Sequence, residues 1–277
     1  MTLSQSHTGL VDIGVNLTSG RFRPDLSSVL QRADRAGVSE MIITGTSVQA
    51  SREAQVMAAS RQGLYATAGV HPHEARHWDT TAETVLRALA NEAEVVALGE
   101  CGLDFNRNFS SPDDQKTCFE AQLALAAELS LPVFLHQRDA HESFMPLLRA
   151  YRAHLPGAVV HCFTGTAEEL EDYLSLDCHI GVTGWICDAR RGEVLRESVK
   201  HIPAERLMVE TDAPYLTPQT LPEKPTGNRN EPAFLPYVVE QIARCRNEAP
   251  EAVAAYTTRT ARAFFNLPLI ECLSTRQ

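Results

Sequence analysis

Ala97-Leu98-Gly99-Glu100-Cys101-Gly102-Leu103-Asp104 is an apolar run broken by one glutamate between glycines, and it closes on an aspartate. A charge placed inside such a run is expensive unless something pairs with it, so the segment reads as a buried strand that ends in chemistry. Working outward, similar short runs recur at residues 10–16, 40–46, 64–71, 95–103, 132–136, 158–164, 179–185 and 207–211. They are almost continuously apolar, as strands covered on both faces are. The stretches between them have helical spacing. Residues 113–129 carry Phe119, Leu123, Ala126, Ala127 and Leu129 near one face, with Ser111-Pro112 as a start signal. Eight alternations of strand and helix predict a closed (β/α)8 TIM barrel, an α/β fold, rather than an open sheet. The chain of 277 residues suits one such domain spanning 1–277, with residues 1–9 a flexible polar extension.

Most of the runs end in polar residues. Asp12 and Asn16 belong to the first, Thr44 and Thr46 to the second, and His71 and His73 to the third. Glu100 and Asp104 follow on the fourth, His136 and Arg138 on the fifth, His161 on the sixth and Asp212 on the eighth. A barrel brings all its C-terminal strand ends to one rim, so these distant residues converge there. Carboxylate oxygen and neutral imidazole on rigid strands are what a divalent metal requires. Glu100, His136 and His161 are therefore candidate ligands. Asp212, in Glu210-Thr211-Asp212-Ala213-Pro214-Tyr215, either ligates metal or accepts a proton from its water. The competing reading for Glu100 is a buried carboxylate paired with an arginine, and for each histidine a hydrogen-bonded core residue.

Gly-Val-His-Pro-His at 69–73, Gly-Glu-Cys-Gly-Leu-Asp at 99–104 and His-Gln-Arg-Asp-Ala at 136–140 together resemble the TatD family. So do His-Cys-Phe-Thr-Gly at 161–165, Glu-Thr-Asp-Ala-Pro-Tyr at 210–215 and the late Arg229-Asn230-Glu231-Pro232. The resemblance runs from Asp12 to about Pro268. It implies an amidohydrolase-like barrel that hydrolyses nucleic-acid phosphodiesters, as a 3′-to-5′ exonuclease on single-stranded DNA or RNA in DNA repair or nucleic-acid turnover. The implied cofactor is a divalent metal, Mg²⁺, with Mn²⁺ or Zn²⁺ as alternatives. Carried over by position, Glu100, His136, His161 and Asp212 match its metal-site residues. Many members place His-x-His on strand one; this chain has Gly14 and Asn16 there, as the branch around TatD itself does, so a fully occupied second metal is not expected. Gln137 replaces a common cysteine, and no function attaches to it.

Such a metal polarises a phosphate oxygen and lowers the pKa of a bound water. Asp212 and Glu100 are then catalytic, with Asp212 orienting the water or taking its proton. Arg138 is placed to meet transition-state charge, and His71 and His73 to contact phosphate or protonate the leaving oxygen. Asn16 hydrogen-bonds a water. Arg138 pairing with Asp139 or Glu100, and His73 capping a loop, are the plainer readings. Trp185 either stacks on a base or packs, Arg190-Arg191 reads as a solvated helix start, and His141 and His154 as surface residues.

Formal net charge is −10, which excludes a broad basic nucleic-acid surface but not an enzyme touching few phosphates. Seven cysteines without CxxC spacing fit buried thiols in a reducing cytoplasm. No apolar run is long enough to span a membrane and no cleaved export signal opens the chain, so a cytoplasmic monomer without a protein partner is expected. The rival reading is metal-dependent hydrolysis of an amide, a lactone or an aminoacyl-tRNA ester, since the fold serves either. A non-catalytic scaffold is the third, and the complete Glu/His/His/Asp set argues against it.

Overall fold

A computed structural model describes residues 9–268. The expected extension at 1–9 therefore falls, but for Gly9, outside the described residues. The strands are β1 (Leu10–Val15), β2 (Val38–Ile43), β3 (Leu64–Ala68), β4 (Val95–Asp104), β5 (Val133–Arg138), β6 (Ala158–Val160), β7 (His179–Val182) and β8 (Leu207–Val209). All pair in parallel and in chain order. The helices between them are α1 (Leu26–Arg35), α2 (Val48–Ala59), α3 (Thr80–Leu89), α4 (Pro112–Leu129), α5 (His141–Tyr151), α6 (Ala167–Ser175) and α7 (Glu193–Ser198). After β8 come α8 (Leu235–Arg246) and α9 (Pro250–Phe264). The fold is the expected eight-stranded β/α barrel.

Local chemistry sets the elements. Ser111 Oγ accepts the Asp114 backbone N–H at 3.1 Å and Pro112 opens the first turn of α4. A cap of this kind stabilises a helix by about 1 kcal/mol. Strand alternation then sorts the core into two layers. Val11, Ile13, Ile42, Tyr65, Ala97, Phe134, Val159 and Met208 fill the barrel, plugged from below by Ala261, Phe265 and Leu267. The opposite strand faces, among them Met41, Ile43, Leu64, Leu98, Leu135, Val160 and Ile180, pack against the helices.

All strands but β4 and β5 end earlier than the apolar runs do. β3, β6 and β8 stop at Ala68, Val160 and Val209, where the runs continue to 71, 164 and 211. His71, His161 and Asp212 lie just past these ends, each still tied by one backbone N–H to a neighbouring strand or its continuation, whereas Glu100 and His136 stay within β4 and β5. The backbone at Cys162 (φ 47°) and Asp212 (φ 52°) enters the left-handed region, which costs of order 1 kcal/mol or more for a side-chain-bearing residue.

β8 returns to β1 through a seam built at the rim. Asp212 N–H donates to Gly14 O (2.8 Å) and Asn16 N–H to Ala213 O (2.8 Å). Asp12, fully buried in β1, accepts from Thr211 N–H (2.9 Å) and Thr211 Oγ1 (2.5 Å). The loop after β8 is braced over this seam: Arg229 and Arg32 both pair with Asp25 and with Glu231, and Asn230 Nδ2 donates to Thr211 O. No helix among the described residues is long and apolar enough to cross a membrane. The six described cysteines are free, and burial pushes the Cys118 and Cys178 thiols up to about 12, so they are unreactive at neutral pH.

Candidate metal centre

Glu100 sits between two positions, 99 and 102, where β4 cannot carry side chains. Gly99 (φ 132°) and Gly102 (φ 147°) adopt backbone that L side chains avoid, and a Cβ at either would press on β5, at Phe134 O and His136 O. The two glycines let β4 lie against β5 while Glu100 turns into the barrel mouth. There its Oε1 meets three imidazoles. His136 Nδ1 and His161 Nε2 each lie at 2.7 Å, and His71 Nε2 at 3.4 Å.

The far nitrogen of each ring separates the three. His161 Nδ1 faces the fully buried Glu210 at 3.3 Å, and His136 Nε2 faces Asp104 Oδ2 at 3.5 Å with no hydrogen-bond partner of its own. Imidazoles that turn one nitrogen to Glu100 and face a second carboxylate with the other resemble the usual support for metal ligands. His71 differs. Its Nδ1 accepts the His73 backbone N–H at 3.0 Å, so the neutral ring carries its proton on Nε2, toward Glu100. That nitrogen has a proton to give rather than a lone pair.

The electrostatics follow from packing acids and imidazoles together. Burial pushes Glu100 up, but His161, His71 and the hydrogen bonds from His136 and His161 outweigh it and hold the carboxylate well below its usual range. Burial works against charge on His161 too, and Glu100 and Glu210 overcome it, raising the ring. His136 is raised in the same way through Asp104 and Glu100. For His71, burial wins and brings the pKa down to about 3, with only Glu100 opposing. Asp104, pushed up by burial, is brought below the usual carboxylate range by His136, the Arg107 N–H and His73. Burial raises Asp212 to about 7, with Glu100 and Glu210 adding to it and His161 and Asn16 opposing.

The remaining sequence candidates are found on the same rim. Asn16 Nδ2 donates to Asp212 Oδ1 at 2.9 Å rather than to a ligand position. His73 Nε2 contacts Asp104 Oδ2 at 2.9 Å, so it braces the site as well as bordering it. Arg138 is exposed at the end of β5 and makes no ion pair among the described residues, with neither Asp139 nor Glu100. Trp185 is already engaged: Arg191 stacks on its ring at 4.2 Å and its Nε1 donates to Arg191 O. Arg191 also pairs with Asp188, which leaves little of either for nucleic acid. His141 is no free surface residue; it is half-buried between Tyr173 and Asp172.

Glu210 and Asp104 carry functions that the sequence reading did not assign. Glu210 accepts the Cys162 backbone N–H as well as facing His161. Its carboxylate occupies space left by two glycines, since a Cβ at Gly14 would lie 2.3 Å from Oε2 and one at Gly181 2.5 Å from Oε1. Glycine on two other strands opposite a strand-end glutamate is the signal that marked it. A side chain at 14 would displace the Glu210 carboxylate from its present position. A cavity of about 580 Å³ lined by Val95, Leu131, Pro156, His179 and Phe264 contains none of these groups; it lies where the strands begin.

Acid and imidazole gathered in this way suit a divalent cation, and His136 Nδ1 and His161 Nε2 both contact the same Glu100 oxygen. His71, Glu100 and His136 also lie close enough together to hold an ion, and the protonated Nε2 argues for His161 over His71. Comparison with known proteins agrees with the fold and the motifs. The family described as TatD related DNase matches residues 11–266. The "3′-5′ ssDNA/RNA exonuclease TatD" of Rahnella sp. is 56% identical over 259 residues, 93% of this chain and 98% of that protein. The Salmonella typhimurium protein of the same name is 51% identical over 258 residues, 93% and 99% respectively. A crystal structure of a TatD homologue from Escherichia coli K12 superposes with a TM-score of 0.86 at 29% identity, covering 94% of this chain and 98% of its own. The chain belongs to the TatD related DNase family.

Proposed function

We propose that this protein is a metal-dependent exonuclease that releases nucleotides from the 3′ end of single-stranded DNA and RNA. We assign the cation, Mg²⁺, to Glu100, His136 and His161. The observation that carries the reading is the pair of 2.7 Å contacts that His136 and His161 make with one Glu100 oxygen, each ring backed by a second carboxylate. The names of relatives matched along nearly their whole length supply the substrate class and direction. When bound, the cation supplies Lewis acidity toward the phosphate and a water of lowered pKa. Asp212, half-buried and raised to about 7, is suited to take a proton from the attacking water near neutrality. Asn16 orients its carboxylate through Oδ1. His71, neutral, offers a hydrogen bond from Nε2 to the leaving oxygen, and Arg138 and His73 border the phosphate. We further read the chain as one catalytic domain acting as a cytoplasmic monomer. No observation favours an amide, lactone or aminoacyl-tRNA ester over the phosphodiester.

The test is to strip the protein of metal and incubate it with end-labelled single-stranded DNA and RNA, adding back Mg²⁺, Mn²⁺ or Zn²⁺. Stepwise shortening from the 3′ end that requires the cation is the expected result. Internal cuts, shortening from the 5′ end or full activity in chelator would overturn the reading.

A further inference from the structure

Four large hydrophobic side chains are exposed among the described residues: Val56, Phe109, Val194 and Tyr215. The two valines lie on α2 and α7, whereas Phe109 and Tyr215 lie on loops of the catalytic rim. Phe109 is 56% exposed, and its loop is firmly built. Asp104 Oδ1 accepts the N–H groups of Asn106 and Arg107, Arg76 Nη1 donates to Phe109 O, and Ser110 Oγ donates to His73 O. Gln115 Nε2 donates to both Asp104 O and Ser110 O. A loop tied at so many points holds a bare aromatic ring in solvent, at the usual cost of leaving apolar area wet.

The ring also has a direction. Phe109 meets the edge of His73 at a centroid distance of 4.8 Å, His73 meets His71 at 4.3 Å, and His71 meets His136 at 4.5 Å. An unbroken series of rings thus runs from the Glu100 cluster to the exposed phenyl. Arg107, two residues before Phe109 in the same loop, and Arg138, at the end of β5 opposite Asp104, are exposed and without ion pairs among the described residues. An apolar π-face beside unpaired cations suits an unpaired base on its phosphate backbone, not an apolar protein surface. Trp185 does not compete, since Arg191 covers its ring.

We propose that Phe109 is a stacking platform for one unpaired nucleobase of the strand whose scissile phosphate lies at the Glu100 cluster. This rests on the nuclease reading above and locates a base subsite within it. The platform accepts any base, because every base has a π-face, and rejects a duplex end whose bases are already stacked and paired.

The experiment is a double-mutant cycle between the protein and the strand. Phe109→Ala and Phe109→Trp are compared with the wild type on single-stranded oligonucleotides carrying one abasic site at each of the last four positions in turn. On the intact strand, Phe109→Ala is expected to lower kcat/KM roughly 5- to 150-fold, the range for one base–aromatic stack, and Phe109→Trp to preserve it. At one abasic position the loss should vanish. 2-Aminopurine at that position should be quenched on binding the wild type and not Phe109→Ala. An equal loss on every abasic strand would reduce Phe109 to a loop residue, and no loss on any strand would remove it from the site; the nuclease reading survives both. A wild type that hydrolyses none of the strands overturns the nuclease reading and the platform together.

Discussion

His161 presents Nε2 to Glu100 because its Nδ1 is turned toward Glu210, and the length of that arm is set by Gly14 and Gly181 on neighbouring strands. Removing the Glu210 carboxylate leaves His161 free to rotate and to change tautomer. Glu210→Ala is therefore expected to weaken cation binding about 10- to 100-fold in titration calorimetry. Gly14→Ala should act in the same direction, because its Cβ displaces the same carboxylate. Glu100→Ala, His136→Ala and His161→Ala should each abolish measurable hydrolysis while circular dichroism still reports a folded barrel. Asp212→Asn, by contrast, should cut the rate steeply and leave cation affinity within a few fold. A Glu100, His136 or His161 variant with wild-type turnover removes that residue from the cation set. These candidates could be picked out in the sequence because Glu100 interrupts a buried run and His136 and His161 close theirs, where a polar group needs a partner. Glu210 could not, because a glutamate two residues before Asp212 reads as its neighbour until the glycines opposite it are seen in space.

The elements divide by which end of the barrel they serve. The upper ends of β3, β6 and β8 stop short of His71, His161 and Asp212, and there the sequence runs overshot the strands. Apolar patterning reports burial rather than strand bounds, and past those bounds His161 and Asp212 each keep one backbone bond to a neighbouring strand, to Leu135 O and Gly14 O. The lower end is plain packing. His179 opens β7 against Phe264 of α9 at 4.7 Å, with Nδ1 lacking a partner. Burial, helped by Arg206 and Arg152 and opposed by Asp177, brings its pKa down from 6.5 to about 4. The unfolded chain takes up this proton near 6.5 and the folded chain near 4, so protons favour unfolding between those values. The His179 contribution is fully present above pH 6.5 and declines as pH falls toward 4. Melting wild type and His179→Asn across this window should show their Tm difference moving in the variant's favour at low pH. A pH-independent difference would mean that the ring is solvated.

Across the whole molecule, a net charge of −10 surrounds a rim whose cationic side chains are mostly spent on each other's partners. Arg229 and Arg32 brace the loop after β8, and Arg191 covers Trp185. Few arginines are left to meet phosphate. Affinity for single strands should therefore fall only gently with salt, with a slope corresponding to about two to four phosphates. A slope near that of about ten contacts, or tight cation-free binding to blunt duplex, would mean a footprint that this surface does not offer. The central claim is narrower: one cation held by Glu100, His136 and His161, with His71 kept as a hydrogen-bond donor beside it. Anomalous diffraction from crystals loaded with Mn²⁺ tests it most directly. The account predicts a peak at ligating distance, about 2 Å, from the Glu100 carboxylate, His136 Nδ1 and His161 Nε2. A peak ligated by His71 Nε2 in place of His161, or none at these residues, would contradict it.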